Sequence, residues 1–207
     1  MVSVFIPTLG RSSLLGQLLQ DLRNDPLVDD ITVADNGVDD SDSLSLVEQA
    51  CWDNYADLLD QRNVGFYAMW NQAITRAAET TGQVAILNDD IQIPKMMITH
   101  LASALGAYYL TLVCPDYQMS GLVPTQPFRV ERVRGTYRHG GITGSAFLLD
   151  AKRAPTIDER FLIWYGDDDL VWKINQAGDR IAILRGLPLN HAGSVTVNST
   201  PWVPDAI

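Results

Sequence analysis

Four consecutive apolar residues, Val84–Ala85–Ile86–Leu87, run directly into Asn88–Asp89–Asp90. An apolar run this short, with Gly82 upstream and acids downstream, reads as a strand buried on both faces, the pattern of a parallel sheet covered by helices. Ligands of open α/β sheets bind beyond the carboxyl ends of the strands, so Asp89 and Asp90 are expected at the rim of a crevice. Side chains alternate along a strand, which puts Asn88 and Asp90 on one side and Asp89 on the other. Adjacent carboxylates in a low-dielectric cleft repel each other, and a divalent cation with a preference for oxygen relieves the repulsion. The competing reading is local: these acids cap the helix after Pro94 or solvate a turn.

The same order of strand, acid and turn opens the chain. Val2–Ser3–Val4–Phe5–Ile6 is a predicted strand stopped by Pro7, with Thr8–Leu9–Gly10–Arg11 as the turn at its end. Ser12 or Ser13 is the expected cap of a helix with Leu14, Leu15, Leu18, Leu19 and Leu22 on one face, closed by Asn24–Asp25–Pro26. A strand Ile31–Ala34 ends in Asp35, and Asn36–Gly37 turns the chain. A helix around Ser43–Cys51, a strand near Ala56–Leu59 and a helix from Phe66 to about Thr80 follow, the last entered through Arg62–Asn63–Val64–Gly65. Strands alternating with helices imply an α/β fold with a mostly parallel central sheet and a Rossmann-like first half.

The second half differs in texture. Residues 96–114 carry no formal charge, but Thr99, His100, Ser103 and Thr111 interrupt them, so they read as a helix with Met97, Ile98, Leu101 and Leu105 inward, then a strand Tyr109–Val113, and not as a membrane span. Residues 115–141 are rich in Pro, Gly and Arg without a period, which predicts a long functional loop or hairpin. A strand over 142–149 and a helix over Leu170–Gln176, closed by Gly178, come next. Asp167, Asp168 and Asp169 then stand at that helix's N-terminus, where the macrodipole favours negative charge; capping alone needs only one of them. A strand Ile181–Leu184 and the segment through His191 finish the chain.

With 207 residues the chain is long enough for one well-buried domain. Its formal charge of −10 argues against indiscriminate binding to nucleic acid or anionic membrane. Cys51 and Cys114 have no metal-type spacing and read as buried thiols in a reducing, cytoplasmic setting. The first strand begins at Val2 with no basic leader, so no secretory signal is expected.

Taken in order, Val4–Phe5–Ile6–Pro7–Thr8, Asp35, Asn63–Val64–Gly65 with Asn71, Asn88–Asp89–Asp90, Gly144 with Phe147, Asp158–Glu159–Arg160–Phe161, Gly166–Asp167–Asp168–Asp169–Leu170 and His191 resemble an inverting glycosyltransferase of the family 2 type. The resemblance implies a single compact domain of GT-A fold, with residues 1–93 as its nucleotide-sugar half and 94–207 as its acceptor half. It implies a nucleoside-diphosphate sugar as donor, with uridine or thymidine diphosphate favoured, held by Pro7, Thr8, Leu9, Arg11, Asp35, Arg62, Asn63, Gly65, Asn71, Asn88 and Asp89. Asp90 and His191 would hold Mn²⁺ or Mg²⁺, Asp167 would be the general base, and Gly144, Trp164, Asp168 and Asp169 would meet the acceptor hydroxyl compound, a saccharide or glycolipid. Trp164 and Tyr165 could stack against a sugar face, but an aromatic pair beside a helix start is more often part of a core.

Two departures from the family stand out. Gly166 occupies a place where the family often has glutamate, which leaves Asp167 as the base, and the metal motif reads Asn–Asp–Asp. Arg129, Arg132, Arg134 and Arg138, beside His139, are also unusual in so acidic a chain. They read as a solvated face, as a clamp on donor phosphates, or as a contact to an anionic acceptor such as DNA with a hydroxymethylated base. A catalytically silent nucleotide-sugar or carbohydrate binding module is the alternative to an enzyme.

Overall fold

The computed structural model describes residues 1–37, 41–61, 64–119, 121–134, 142–161 and 165–192. Arg62, Asn63, Trp164 and Arg138 lie outside the described residues. Strand alternation decides which side chain meets which helical layer. In β4 (Gln83–Leu87), Ala85 and Leu87 join one buried cluster, while Val84 and Ile86 join the other. Both faces are covered, so the strand reads as an unbroken apolar run.

The first cluster packs α1 (Leu15–Arg23), α2 (Ser41–Asp53) and α4 (Met97–Ala107) on one face of the sheet. The second packs α3 (Phe66–Glu79) and α5 (Gly166–Gln176) on the opposite face. Leu15, Leu18, Leu19 and Leu22 of α1 are all buried, at the spacing the sequence predicts. Each such leucine contributes roughly 2 kcal/mol of hydrophobic free energy.

Between the layers run β1 (Val2–Thr8), β2 (Val28–Asp35), β3 (Asp57–Asp60), β4, β6 (Leu112–Asp116), β7 (Arg129–Val133), β8 (Ala146–Asp150) and β9 (Ile181–Pro188). Their order across the sheet is β3-β2-β1-β4-β8-β6-β9-β7. The pairings from β3 to β4 are all parallel, which is the expected Rossmann-like first half. Beyond β4 the sheet is mixed, because β8 runs antiparallel between β4 and β6 and β7 runs antiparallel on β9. A separate ribbon pairs β5 (Ile91–Gln92) with β10 (Asn190–His191).

Several local expectations are corrected. β1 continues through Pro7 to Thr8, with Pro7 opposite Ala34 and Thr8 opposite Asp35. No side chain caps α1; the Ser12 hydroxyl instead accepts the Leu14 N–H at 3.1 Å and donates to the Asp89 carbonyl at 2.8 Å. The strand expected at Tyr109–Val113 is shifted to Leu112–Asp116, since α4 closes at Tyr108 and Tyr109 takes a left-handed φ of 51°. The strand expected over 142–149 is confined to Ala146–Asp150. α5 starts at Gly166, so its three acids form the first turn. The arginine-rich stretch contributes an edge strand, β7, in addition to loop.

Residues past the C-terminal end of β9 reach the centre of the rim through one tight place. Gly186 has a φ of +90°, and a Cβ there would stand 2.3 Å from the Thr125 carbonyl oxygen. The Thr125 N–H in turn donates to the Gly186 carbonyl at 2.8 Å. Gly186→Ala therefore meets both a forbidden φ and a backbone clash, and is expected to lower stability by about 2 kcal/mol or more, read as a fall in the urea midpoint.

Candidate active site

The rim is formed where β1, β2, β4 and β6 end and β8 begins, as the parallel and antiparallel registers require. Acids cluster there. Asp35, Asp89, Asp90 and Asp116 are all buried. Each needs partners that replace lost water.

Asp89 turns toward β1, where the Thr8 hydroxyl donates to its Oδ2 at 2.5 Å. Thr8 Oγ1 also accepts the Gly10 N–H at 2.9 Å, so the turn carrying Leu9 and Arg11 is tied to the same group. Burial pushes Asp89 up from 3.8 to about 6; the Thr8 hydrogen bond lowers it, and neighbouring Asp90 raises it. Asp90 turns the other way, with its Oδ1 3.0 Å from His191 Nε2. Asn88 Nδ2 lies 3.4 Å from the same imidazole nitrogen. Asn88 and Asp90 thus take one side and Asp89 the other, as alternation predicts, and the fold supplies His191 as the partner on the first side and Thr8 on the second. The Ala192 N–H donates to the Asp90 carbonyl at 3.0 Å and secures the approach of β10.

Asp35 Oδ1 accepts the Gly37 N–H at 2.9 Å, and the Asp35 carbonyl accepts the Gln61 N–H at 2.9 Å. This arrangement leads the chain from β3 toward Gly65, the N-cap of α3.

Asp167 reaches the rim from the opposite layer. Its Oδ1 accepts the Asp168 N–H at 3.1 Å. Burial pushes its carboxyl above the ordinary value and the Asp168 charge adds to the rise, while backbone N–H groups, Gly144 among their residues, oppose it. Gly144 leaves the carboxylate uncovered, since a Cβ there would sit 3.3 Å from Asp167 Oδ2. The turn through Thr143, Gly144 and Ser145 also touches the other acids: the Asn88 N–H donates to the Ser145 carbonyl at 2.9 Å. One short turn therefore lies between Asn88–Asp90 and Asp167.

Two residues singled out by sequence are engaged in holding structure. Asn71 donates to the Ile157 carbonyl at 2.9 Å and to Glu159 Oε1 at 3.0 Å, and accepts the Ile157 N–H at 2.8 Å. Asp169 accepts the Asp158 N–H at 2.8 Å and pairs with Lys173 at 2.7 Å. Together they anchor the segment that leads into α5. Sequence reading gave Ser12 only as a helix cap and assigned no role to Thr143, Ser145 or Tyr67; Ser12, Ser145 and Tyr67 make contacts far along the chain. Only the small residues around Gly144 gave a signal, as a place of close approach.

Among the described residues, the arginines of the 129–138 stretch do not gather at the rim. Arg129 pairs with Arg185 at the rim end of β9, whereas Arg132 and Val133 pair with Ala182 and Ile181 at its far end. The Arg134 carbonyl accepts Asn175 Nδ2 at 3.2 Å, near the C-terminal end of α5. Arg185 itself bridges Asp116 at 2.7 Å and Glu131 at 2.8 Å. Among the described residues no helix is long and apolar enough to cross a membrane.

The family profile described as Glycosyl transferase family 2 matches residues 3–154, most of the rim-forming strands included. The chain belongs to that family. Solved structures with the same GT-A fold include S. aureus TarS, with a TM-score of 0.62 and 15% identity over 88% of this chain and 35% of that one. S. aureus TarS 1–349 in complex with UDP gives a TM-score of 0.64 at 15% identity, over 91% of this chain and 59% of that one. The same protein in complex with UDP-GlcNAc gives 0.58 at 13% identity, over 91% and 57%. The chain thus spans less than two thirds of the length of these structures. No curated protein matches the sequence significantly.

The buried Asp89 has a measurable consequence. Its folded value of about 6 exceeds the ordinary 3.8, so between those pH values the folded state holds a proton that the unfolded chain has released. The associated stability is complete below about pH 4 and is lost as pH rises through about 6. Without divalent metal, Asp89→Asn should match the parent near pH 4 and exceed it by about 3 kcal/mol at pH 7, read from urea melts at both pH values.

Proposed function

We propose that this chain is a metal-dependent inverting glycosyltransferase that moves a sugar from a nucleoside-diphosphate sugar to an acceptor hydroxyl. The observation that carries the reading is the placement of the Asp89–Asp90–His191 group and of Asp167 on either side of the Thr143–Ser145 turn, at one sheet rim.

The donor side is the carboxyl edge of β1, β2 and β4. Pro7, Thr8, Leu9, Arg11, Asp35, Gly65, Asn88 and Asp89 surround it, with Arg62 and Asn63 assigned from sequence. Uridine diphosphate is the favoured leaving group, supported by the UDP and UDP-GlcNAc complexes of structures with this fold.

Asp90 and His191 fit a hard divalent cation, Mn²⁺ or Mg²⁺. Among the described residues no group of three or more His, Cys, Asp or Glu is arranged to hold a metal ion by itself, so in this proposal the remaining ligands are diphosphate oxygens and water. When bound, such an ion offsets the charge growing on the departing diphosphate. His191 must be neutral to act as its ligand.

Asp167 takes the proton of the acceptor hydroxyl while that oxygen attacks the anomeric carbon. The new C–O bond forms on the face opposite the diphosphate as the old one breaks, so the centre inverts. Gly144 leaves room for the acceptor against Asp167 Oδ2, and Asp168 and Trp164 are assigned to acceptor contact. A saccharide or glycolipid hydroxyl is the proposed acceptor. Buried, unpaired Cys51 and Cys114 suit a reducing, cytoplasmic location.

Thermal melting against nucleoside diphosphates and nucleotide sugars, each with and without Mn²⁺, tests the donor side. UDP at a hundredfold excess over its dissociation constant should stabilise the protein by about 2.7 kcal/mol with Mn²⁺ and far less without it. No shift with any nucleotide would overturn the reading. On the acceptor side, Asp167→Asn should reduce transfer by about 10²- to 10⁴-fold with UDP binding retained. In the parent, the acidic limb of kcat should lie above the ordinary carboxylate range, because the deprotonated base accumulates only as pH rises through its raised pKa. Equal turnover by the variant and the parent would remove Asp167 from the mechanism.

A further inference from the structure

Position 166 is closed to every residue but glycine by a side chain from α3, the neighbouring helix of the same layer. A Cβ on Gly166 would stand 2.1 Å from Tyr67 Cε1, 2.2 Å from Cζ and 2.4 Å from Cδ1. These are aromatic carbons of a ring that is 3% exposed and cannot simply swing into solvent. Phe66 and Trp70 hold it in edge-on contacts, with centroids 5.4 and 5.2 Å away at interplanar angles of 85° and 89°. Trp70 leans in turn on Phe147 of β8, at 5.0 Å. The ring is thus braced by α3 and by the central sheet.

We infer that Tyr67 is a positioning residue for Asp167: its ring fills the volume beside Gly166 and sets the start of α5, so that the next carboxylate faces Gly144 at the rim. This deepens the reading of Asp167 as the base and rests on it.

Three observations support the role. First, the residue before the helix, Tyr165, is held at a φ of 73°, a conformation a non-glycine residue keeps only where its surroundings impose it. Second, Asp167 lies between two positions where a side chain would intrude, with Tyr67 behind Gly166 and Gly144 in front. Third, the Tyr67 phenol is kept neutral: burial raises its pKa most, a hydrogen bond with the Gly166 backbone lowers it, and the charges of Asp167 and Asp168 raise it further. The ring is a neutral wedge within electrostatic reach of both carboxylates.

Among the described residues, the groups facing the Asp167 carboxyl are Asp168 from its own helix, Tyr67 from α3 and the Gly144 backbone from the turn before β8. Burial is the largest cause of its raised pKa, so loosening the wedge admits water and lowers its titration midpoint.

The test follows the Asp167 carboxyl by ¹³C NMR across pH, with no substrate present, in the parent, Tyr67→Phe, Tyr67→Val, Gly166→Ala and the Tyr67→Val/Gly166→Ala double variant. Valine ends before every ring atom named above, so the double variant replaces one volume with another. Tyr67→Phe keeps the wedge and is expected to stay close to the parent. Tyr67→Val and Gly166→Ala should each lower the midpoint by about one pH unit, and the double variant should return toward the parent. If Gly166→Ala does not fold, Tyr67→Val carries the test alone, because it only opens space. An unchanged midpoint in folded Tyr67→Val, or no recovery in a folded double variant, would overturn the inference. Should the midpoints move as expected while Asp167→Asn remains fully active, the packing role stands and the base assignment fails.

Discussion

A carboxylate at the end of a buried strand can be kept only where other groups replace the water it has lost. Most of this molecule's architecture follows from meeting that condition at Asn88–Asp89–Asp90. Asp89 is met by Thr8 from the neighbouring parallel strand, and its carbonyl is met by Ser12 ahead of α1. Asp90 is met by His191, a residue the chain returns only after two more helices, one in each layer, and four more strands of the sheet. The bend at Gly186 and the β5–β10 ribbon are what let that return land on Asp90.

The two halves of the sheet divide the work along this line. The all-parallel first half gathers the ends of β1, β2 and β4 at one rim, where turn backbones and acids present polar groups toward a ligand. In the second half the antiparallel β8 begins at the rim where β4 ends, so the small residues just before it lie over the acids. Thr143–Ser145 therefore touches Asn88 on one side and leaves Asp167 open on the other. A ligand bridging the two acid groups would be enclosed by backbone with little side-chain bulk in the way.

Supporting contacts share one economy: polar side chains from the helices hold the loops that aim the site. Asn71 and Asp169 fix the segment before α5; away from the site, at the opposite end of the sheet, Asp25 just past α1 accepts from the Thr99 N–H and hydroxyl and joins that end to α4. The described part of the arginine-rich stretch starts at the rim end of β9 and runs away from it. Arg129 and Arg132 lie on an edge strand, where charges discourage pairing with another sheet, and Arg185 spans from the rim to Glu131 of that strand.

The sequence by itself determined the layers, the first four strands in parallel order, the inward face of α1 and the acids at the strand ends. Each of these is written in local periodicity and in the residues that end a run, and such signals survive without knowledge of any partner. Only the tertiary structure decided that Asp89 belongs with Thr8, that His191 stands on Asp90, that Asn71 and Asp169 are anchors, and that Gly166 is glycine because of Tyr67. It also decided that the arginines at 132 and 134 run away from the rim, since that depends on the direction of β7 along β9. β7 is a five-residue, partly exposed edge strand with no apolar period to announce it. Contacts between residues tens of positions apart are fixed by strand order and register, and no local window of sequence contains either.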